Sequence, residues 1–293
     1  MSKPRIVILA TGGTIAGVAA DPMASTVYRS AALPIEALLE HIPALREIAD
    51  IQAEQVAQVD SKDMSFATWH QLDMRIRAWR DSGNVDGIVV THGTDTLEET
   101  AMLLHLTQPA GIPIVLTAAM RPATALSADG PLNLFQAVQV AAYPGAASLG
   151  VLVVMNQEIH AARDVAKLHT SDIHAFASPG CGPLGAVTGR DIRFFRRPIA
   201  LGGVAGHLLS LPARWPWVEV VSSVAGARRQ SVDGIVRDGV EGIILAAPGN
   251  GSVHEAILPA LIEAWKCGIP VIRSSRTGSG YVTYSPPSTL GAP

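Results

Sequence analysis

The sequence predicts an α/β protein: a larger N-terminal doubly wound, mostly parallel sheet domain followed by a smaller C-terminal α/β domain. Three observations carry this. Apolar runs such as Gly87-Ile88-Val89-Val90 and Val151-Leu152-Val153-Val154 show no polar alternation, as expected of parallel strands covered on both faces. Helical patterns fall between these runs along the first two-thirds of the chain. The alternation then breaks in a Gly- and Pro-rich stretch, Ser178-Pro179-Gly180-Cys181-Gly182-Pro183, and later resumes.

In order, a first strand is expected at 5–10, a helix at 35–41 and a strand at 51–59. A strongly amphipathic helix is expected from Phe66 to Asp81, then strands at 87–91, 113–118 and 150–155 with helices at 97–106 and 131–142 between them. A polar hairpin-like stretch spans Asp191–Pro198. These readings give an N-terminal domain at 1–195, a linker at 196–215 and a second domain at 216–293. The second domain has strands expected at 217–221, 241–247 and 269–274 and helices at 231–238 and 254–265. After Gly280 no helical pattern covers the last strand, so this domain reads as shortened at its end.

With 293 residues, 48% apolar and 16% charged, the chain can bury a sizeable core and is not of disordered composition. A net charge of −3 offers no basic face for nucleic acid. No run approaches the roughly 18 apolar residues of a membrane span, and the residues before the first strand are not expected to act as a leader. A cytoplasmic location is expected, although a periplasmic form with its leader removed would read the same way. Cys181 and Cys267 follow no metal spacing, and no H-E-x-x-H pattern occurs. Thr14 stands where a dinucleotide fingerprint needs its second glycine, and G-K-[ST] is absent, so neither nucleotide motif is present.

Chemistry concentrates at strand ends. Thr11-Gly12-Gly13-Thr14-Ile15-Ala16-Gly17 follows the first strand, and Thr91-His92-Gly93-Thr94-Asp95-Thr96-Leu97-Glu98-Glu99-Thr100 follows the strand at 87–91. Open α/β sheets bind ligands at such carboxyl ends. Asp95 alone reads as a helix cap, with Glu98 and Glu99 favoured by the helix dipole, and His92 as a packing residue. A threonine hydroxyl is a poor nucleophile until a neighbour takes its proton. Lys167, in Arg163-Asp164-Val165-Ala166-Lys167, could complete a Thr–Lys–Asp relay if it is drawn into the same crevice. Residues 18–32 read as a long loop suited to a lid.

The two turns resemble those of the bacterial L-asparaginase/glutaminase family, of type II-like character. Ala118-Ala119-Met120-Arg121-Pro122, Ser127-Ala128-Asp129-Gly130-Pro131-Leu132-Asn133-Leu134, Val151–Asn156, Gly249-Asn250-Gly251-Ser252 and Arg273-Ser274-Ser275-Arg276 extend the likeness over about residues 5–280. The resemblance implies hydrolysis of L-asparagine to L-aspartate and ammonia through a threonine acyl-enzyme, with side activity on L-glutamine. It implies no cofactor, no metal, and a homotetramer built as a dimer of dimers. By resemblance Thr14 is the nucleophile and Tyr28, on the lid, its hydrogen-bond partner. Thr94 and Lys167 polarise the attacking group, and backbone N–H groups of Gly13 and Thr94 form the oxyanion hole. Ser61 takes the substrate carboxylate and Asp95 its ammonium, with Lys62 and Ala119 beside them.

Three departures stand out. Lys62 replaces the usual Gln or Glu, bringing a cation toward the ammonium subsite. Ser252 replaces a second Asn in the Asn250 turn, which in the family reaches a neighbouring subunit's site. No Asp or Glu follows Glu263, where the family places another acidic residue. Two functions of different class are therefore expected: an amidohydrolase, or a catalytically impaired binder of small amino acids or amides on the same fold.

Overall fold

The computed structural model describes residues 2–23, 27–198 and 211–283. The chain divides into two compact units, residues 1–211 and 212–293; residues 199–210 of the expected linker lie outside the described residues. In the first unit the strands are β1 (Arg5–Gly12), β2 (Asp50–Val59), β3 (Gly87–Thr91), β4 (Ile114–Thr117), β5 (Val151–Met155), β6 (Glu158–Ala161), β7 (Ala166–Lys167), β8 (Phe176–Ala177), β9 (Gly185–Thr188) and β10 (Asp191–Phe194). Eight of them form one sheet in the order β10-β9-β6-β5-β4-β3-β1-β2, while β7 and β8 pair separately. Strands β2, β1, β3, β4 and β5 are parallel, and β6, β9 and β10 extend the sheet antiparallel.

The helices of this unit are α1 (Ile35–Glu40), α2 (Leu45–Ile48), α3 (Phe66–Asp81), α4 (Leu97–Thr107) and α5 (Gly130–Ala141). Their burial explains the unbroken apolar strands. Ile6 and Ile8 of β1 face a cluster with Ile35, Leu45, Leu134 and Val138 from α1, α2 and α5. Val7 and Leu9 face the other way, onto Leu72 and Ile76 of α3 and Leu97 and Leu104 of α4. Each such side chain contributes about 1.5–3 kcal/mol on leaving water, so a polar residue at any of these positions would be selected against. α3 begins where the Ser65 side chain accepts from the Thr68 N–H, a cap that satisfies one orphan donor. Its buried stripe is narrow: Thr68, Leu72, Asp73 and Ile76, with Met74 exposed.

In the second unit β11 (Val218–Ser222), β12 (Gly242–Ala247) and β13 (Val271–Ser275) form a parallel sheet, covered by α6 (Gln230–Arg237) and α7 (Leu258–Lys266) through Val232, Leu261, Ile243 and Leu245. Val220 and Ile272 of this sheet stay exposed. The last helix starts four residues later than the sequence pattern suggests. Pro259 occupies its first turn, where a missing N–H costs nothing, and residues 254–257 form the turn leading in.

The hairpin near Asp191–Pro198 is displaced. Residues 191–194 are its second arm, and the first arm is Gly185–Thr188. β9 and β10 therefore belong to the main sheet, and the Gly- and Pro-rich stretch is a loop within the first unit. Among the described residues no helix is long and apolar enough to cross a membrane.

Candidate functional site

The strand order places β1 between β2 and β3, so the chain turns to one side of β1 first and to the other side next. Such a switch point leaves a crevice at the carboxyl ends of the strands. Gly13-Thr14, Ser61 and Gly93-Thr94 occupy those ends of β1, β2 and β3. The three tips touch. A Cβ added to Gly13 would lie 2.3 Å from the Gly93 Cα, and one added to Gly93 would lie 2.5 Å from the Ser61 Oγ. Gly13 also holds φ +81°, which L side chains rarely adopt. Glycine is thus required at both positions by contact, and this contact brings Thr14 and Thr94 to one crevice. Thr11 Oγ1 donates to Thr91 O (2.9 Å), tying β1 to β3 just beneath.

Two hydroxyl clusters result. Thr14, 6% exposed, has its Oγ1 2.7 Å from the Tyr28 hydroxyl. Tyr28 is held by the chain returning to the first turn: Val18 and Arg29 exchange two backbone hydrogen bonds of 2.9 Å, and Ala31 N–H donates to Gly13 O (3.0 Å). In the second cluster Lys167 Nζ donates to Thr94 Oγ1 (2.9 Å) and to Asp95 Oδ1 (2.6 Å). The lysine side chain is 19% exposed and that of Asp95 53%. The structure thus brings together the two pairs that the family resemblance implied, Tyr28 with Thr14 and Lys167 with Thr94.

Ser61 is almost wholly buried beneath Gly93; its Oγ accepts from Asp95 N (3.1 Å), leaving its own proton to donate, and its carbonyl accepts from Thr96 Oγ1 (2.8 Å). The Gly13 N–H donates to Val59 O at 2.9 Å. That donor is committed to the β1–β2 junction, which corrects its expected place in an oxyanion hole. Ala119 is fully buried, and its Cβ would lie 3.3 Å from one added to Gly130. Asp129 braces that turn by accepting from Met120 N and Arg121 N, each at 2.9 Å. Lys62 pairs with Asp63 and is 61% exposed. Asp63, with weaker help from Asp60 and Asp95, raises its pKa and keeps it cationic. Asn250 and Ser252 lie in the turn after β12 of the second unit, where the Asn250 side chain accepts from Thr283 N (2.8 Å).

His92 is fully buried, and burial lowers its pKa to about 4, so it is neutral near pH 7. Its Nδ1 meets the Gly93 carbonyl (2.8 Å), an acceptor only, so Nδ1 carries the proton. Nε2 then accepts from Thr100 Oγ1 (2.9 Å), which itself accepts from Trp69 Nε1 (2.8 Å). Every member of this chain is satisfied. His92 holds the Gly93 turn, in keeping with a packing residue. Among the described residues no group of three or more His, Cys, Asp or Glu could hold a metal ion.

Sequence reasoning missed Glu98 and Thr100 as parts of this architecture. Both lie in the first turns of α4 just after the Thr94 turn, and that nearness in sequence was the available signal.

Comparison with known proteins agrees with this geometry. The family model for the asparaginase N-terminal domain matches residues 5–200, and that for the glutaminase/asparaginase C-terminal domain matches 217–289. A glutaminase-asparaginase of Pseudomonas fluorescens biotype A is 42% identical over 277 residues, 94% of this chain and 76% of that protein. L-asparaginase 2 of Escherichia coli K12 is 39% identical over 289 residues, 97% of this chain and 81% of that one. The crystal structure of a probable cytoplasmic L-asparaginase from Campylobacter jejuni superposes with a TM-score of 0.92 at 38% identity, covering 99% of this chain and 89% of that one. A Haemophilus influenzae relative, 41% identical, is named a probable periplasmic L-asparaginase. With both of its units matched and a crevice built from the ends of β1, β2 and β3, this chain belongs to the asparaginase family.

Proposed function

We propose that this chain hydrolyses L-asparagine to L-aspartate and ammonia through an ester on Thr14, with L-glutamine as a slower substrate. The observation that carries the reading is the pair of hydroxyls at the switch point, each with its own proton-handling partner: Thr14 with Tyr28, and Thr94 with Lys167 and Asp95. In the first step the Thr14 oxygen bonds to the amide carbon, its proton passes by way of Tyr28 to the leaving nitrogen, and ammonia departs. In the second, water ordered by Thr94 and Lys167 attacks the ester, returning a proton to Thr14 and releasing aspartate. The backbone N–H of Thr94 is the expected oxyanion donor retained by the proposal. Asp95 gives one carboxylate oxygen to Lys167 and offers the other to the substrate ammonium, while the Ser61 proton is offered to the substrate carboxylate. No cofactor or metal enters these steps, and the assembly proposed is a homotetramer.

Glutamine is longer by one methylene, worth about 1–3 kcal/mol of discrimination, so asparagine is expected to be preferred by roughly 10- to 200-fold in kcat/KM. The test is ammonia release from both amides, with the Tm recorded under the same conditions. Ammonia from asparagine supports the hydrolase. A ligand-dependent rise in Tm without ammonia overturns it and supports the impaired binder.

Lys62 bears on affinity. Its ammonium is engaged by Asp63 on an exposed face, where such pairs are weak. Lys62→Gln is therefore expected to leave the KM for asparagine within about twofold, since exposed charges are screened. A severalfold fall in KM would place the lysine at the ammonium subsite instead.

A further inference from the structure

The hairpin of β7 and β8 lies outside the main sheet, yet it delivers Lys167. Its ladder is short: Ala166 faces Ala177, Lys167 faces Phe176, and Leu168 N–H donates to Ala175 O at 2.7 Å. In an antiparallel pair the hydrogen-bonded and non-hydrogen-bonded positions alternate. With Leu168 bonded inward to β8, the N–H of Lys167 points outward, away from its partner strand. There it donates to the Glu98 carboxylate, Oε2, across 69 positions of sequence. Glu98 sits in the first turn of α4, three and four positions after Asp95 and Thr94. The segment from Thr94 into the first turn of α4 therefore grips the lysine at both ends: Thr94 and Asp95 hold its Nζ, and Glu98 holds its backbone.

We propose that Glu98 is a positioning residue for Lys167, and this rests on the hydrolase reading above. The physical reason is leverage. A lysine has four rotatable side-chain bonds, so contacts at Nζ alone leave its backbone free to shift while the tip stays paired. A two-residue ladder supplies little restraint. Fixing the Lys167 N–H against the first turn of α4, just after the Thr94–Asp95 turn, ties the hairpin to the segment that carries Thr94. The requirement is for an acceptor oxygen of the right reach, because the bond is to a backbone N–H. Charge is not needed for it. The carboxylate also suits the helix N-terminus, where the dipole favours it, so the residue costs α4 nothing.

The prediction separates acceptor, charge and reach. Glu98→Gln keeps an acceptor oxygen at full length and is expected to retain kcat within about threefold. Glu98→Ala removes the acceptor, and Glu98→Asp keeps the charge but falls one methylene short. Both are expected to lower kcat about 10- to 100-fold with KM within about twofold, since a displacement of about 1 Å at a catalytic group costs that much. Should the alanine variant fail to fold, the aspartate variant carries the same comparison. Retention of parental kcat by E98A or E98D overturns the proposal, as does a loss in E98Q equal to that in E98A.

Amide hydrogen exchange at Lys167 gives a readout free of any assay of ammonia. It is expected to speed up at least about tenfold in E98A and E98D but not in E98Q, relative to neighbouring amides of the hairpin. Altered exchange in a protein that releases no ammonia would refute the hydrolase reading while leaving the anchor standing. Unaltered exchange in an active enzyme would refute the anchor alone.

Discussion

Thr14→Ala is expected to lower the kcat for asparagine by about 10^4-fold or more while leaving the protein folded and able to bind the amide. The variant removes one hydroxyl and one methyl from a side chain that is buried but small. The hydrogen bond lost, to Tyr28, is worth about 0.5–1.5 kcal/mol, and the Tyr28 hydroxyl can turn to water in the crevice. Stability should therefore change by about 1 kcal/mol, a shift of a few degrees in Tm. Acid quenching of the parent during turnover should trap an aspartyl ester on the peptide containing Thr14, and the variant should show none. An ester on Thr94, or parental turnover without the Thr14 hydroxyl, would place the nucleophile at the second cluster and end the assignment.

The parts legible in the sequence are those whose cause is local. Ile6 to Leu9 read as a buried parallel strand because α1, α2 and α5 cover one face and α3 and α4 the other, so no position tolerates a polar residue. Gly13 and Gly93 are visible in the sequence only as glycines in Thr-rich turns; that their contacts exclude a side chain emerges from the folded strand tips. The helix at 66–81 reads from its amphipathic pattern, and the structure shows the buried face at the four-residue spacing of Thr68, Leu72 and Ile76. Other features depend on partners far away in sequence. β6, β7, β8 and β9 are two to four residues long, too short for periodicity to register, so the strands that complete the sheet edge, β9 and β10, read only as a break in the alternation and a polar hairpin-like stretch. Glu98 reads as a dipole-favoured residue, and its bond to Lys167 emerges only when the hairpin is folded against α4. The pairs of the relay, Thr14 with Tyr28 and Thr94 with Lys167, were legible only through the family resemblance, because their members lie 14 and 73 positions apart and no local pattern joins them.

That pairing has a kinetic consequence, and it supplies the second large effect. Lys167→Met keeps the length and apolar stem of the side chain but removes its amine, so Thr94 and Asp95 lose their common partner. Asp95 is more than half exposed and stays solvated, so the broken pair should cost under about 1 kcal/mol of stability. The loss should appear in turnover: loss of a proton-handling group lowers kcat about 10^2- to 10^4-fold. The amine touches Thr94 and the phenol touches Thr14, so the two chemical steps should not suffer equally. Formation of the Thr14 ester, served by Tyr28, should be slowed less than its hydrolysis, served by Thr94 and Lys167. Rapid mixing of the K167M variant with asparagine should then give a burst of roughly one ammonia per chain before a slow steady state, with the ester visible by mass spectrometry. Tyr28→Phe should do the reverse and abolish the burst, because the first step becomes limiting. A K167M variant that is slow from the first turnover, with no ester accumulated, would show that the lysine serves ester formation, and the division of labour drawn from the two hydrogen-bonded pairs would have to be given up.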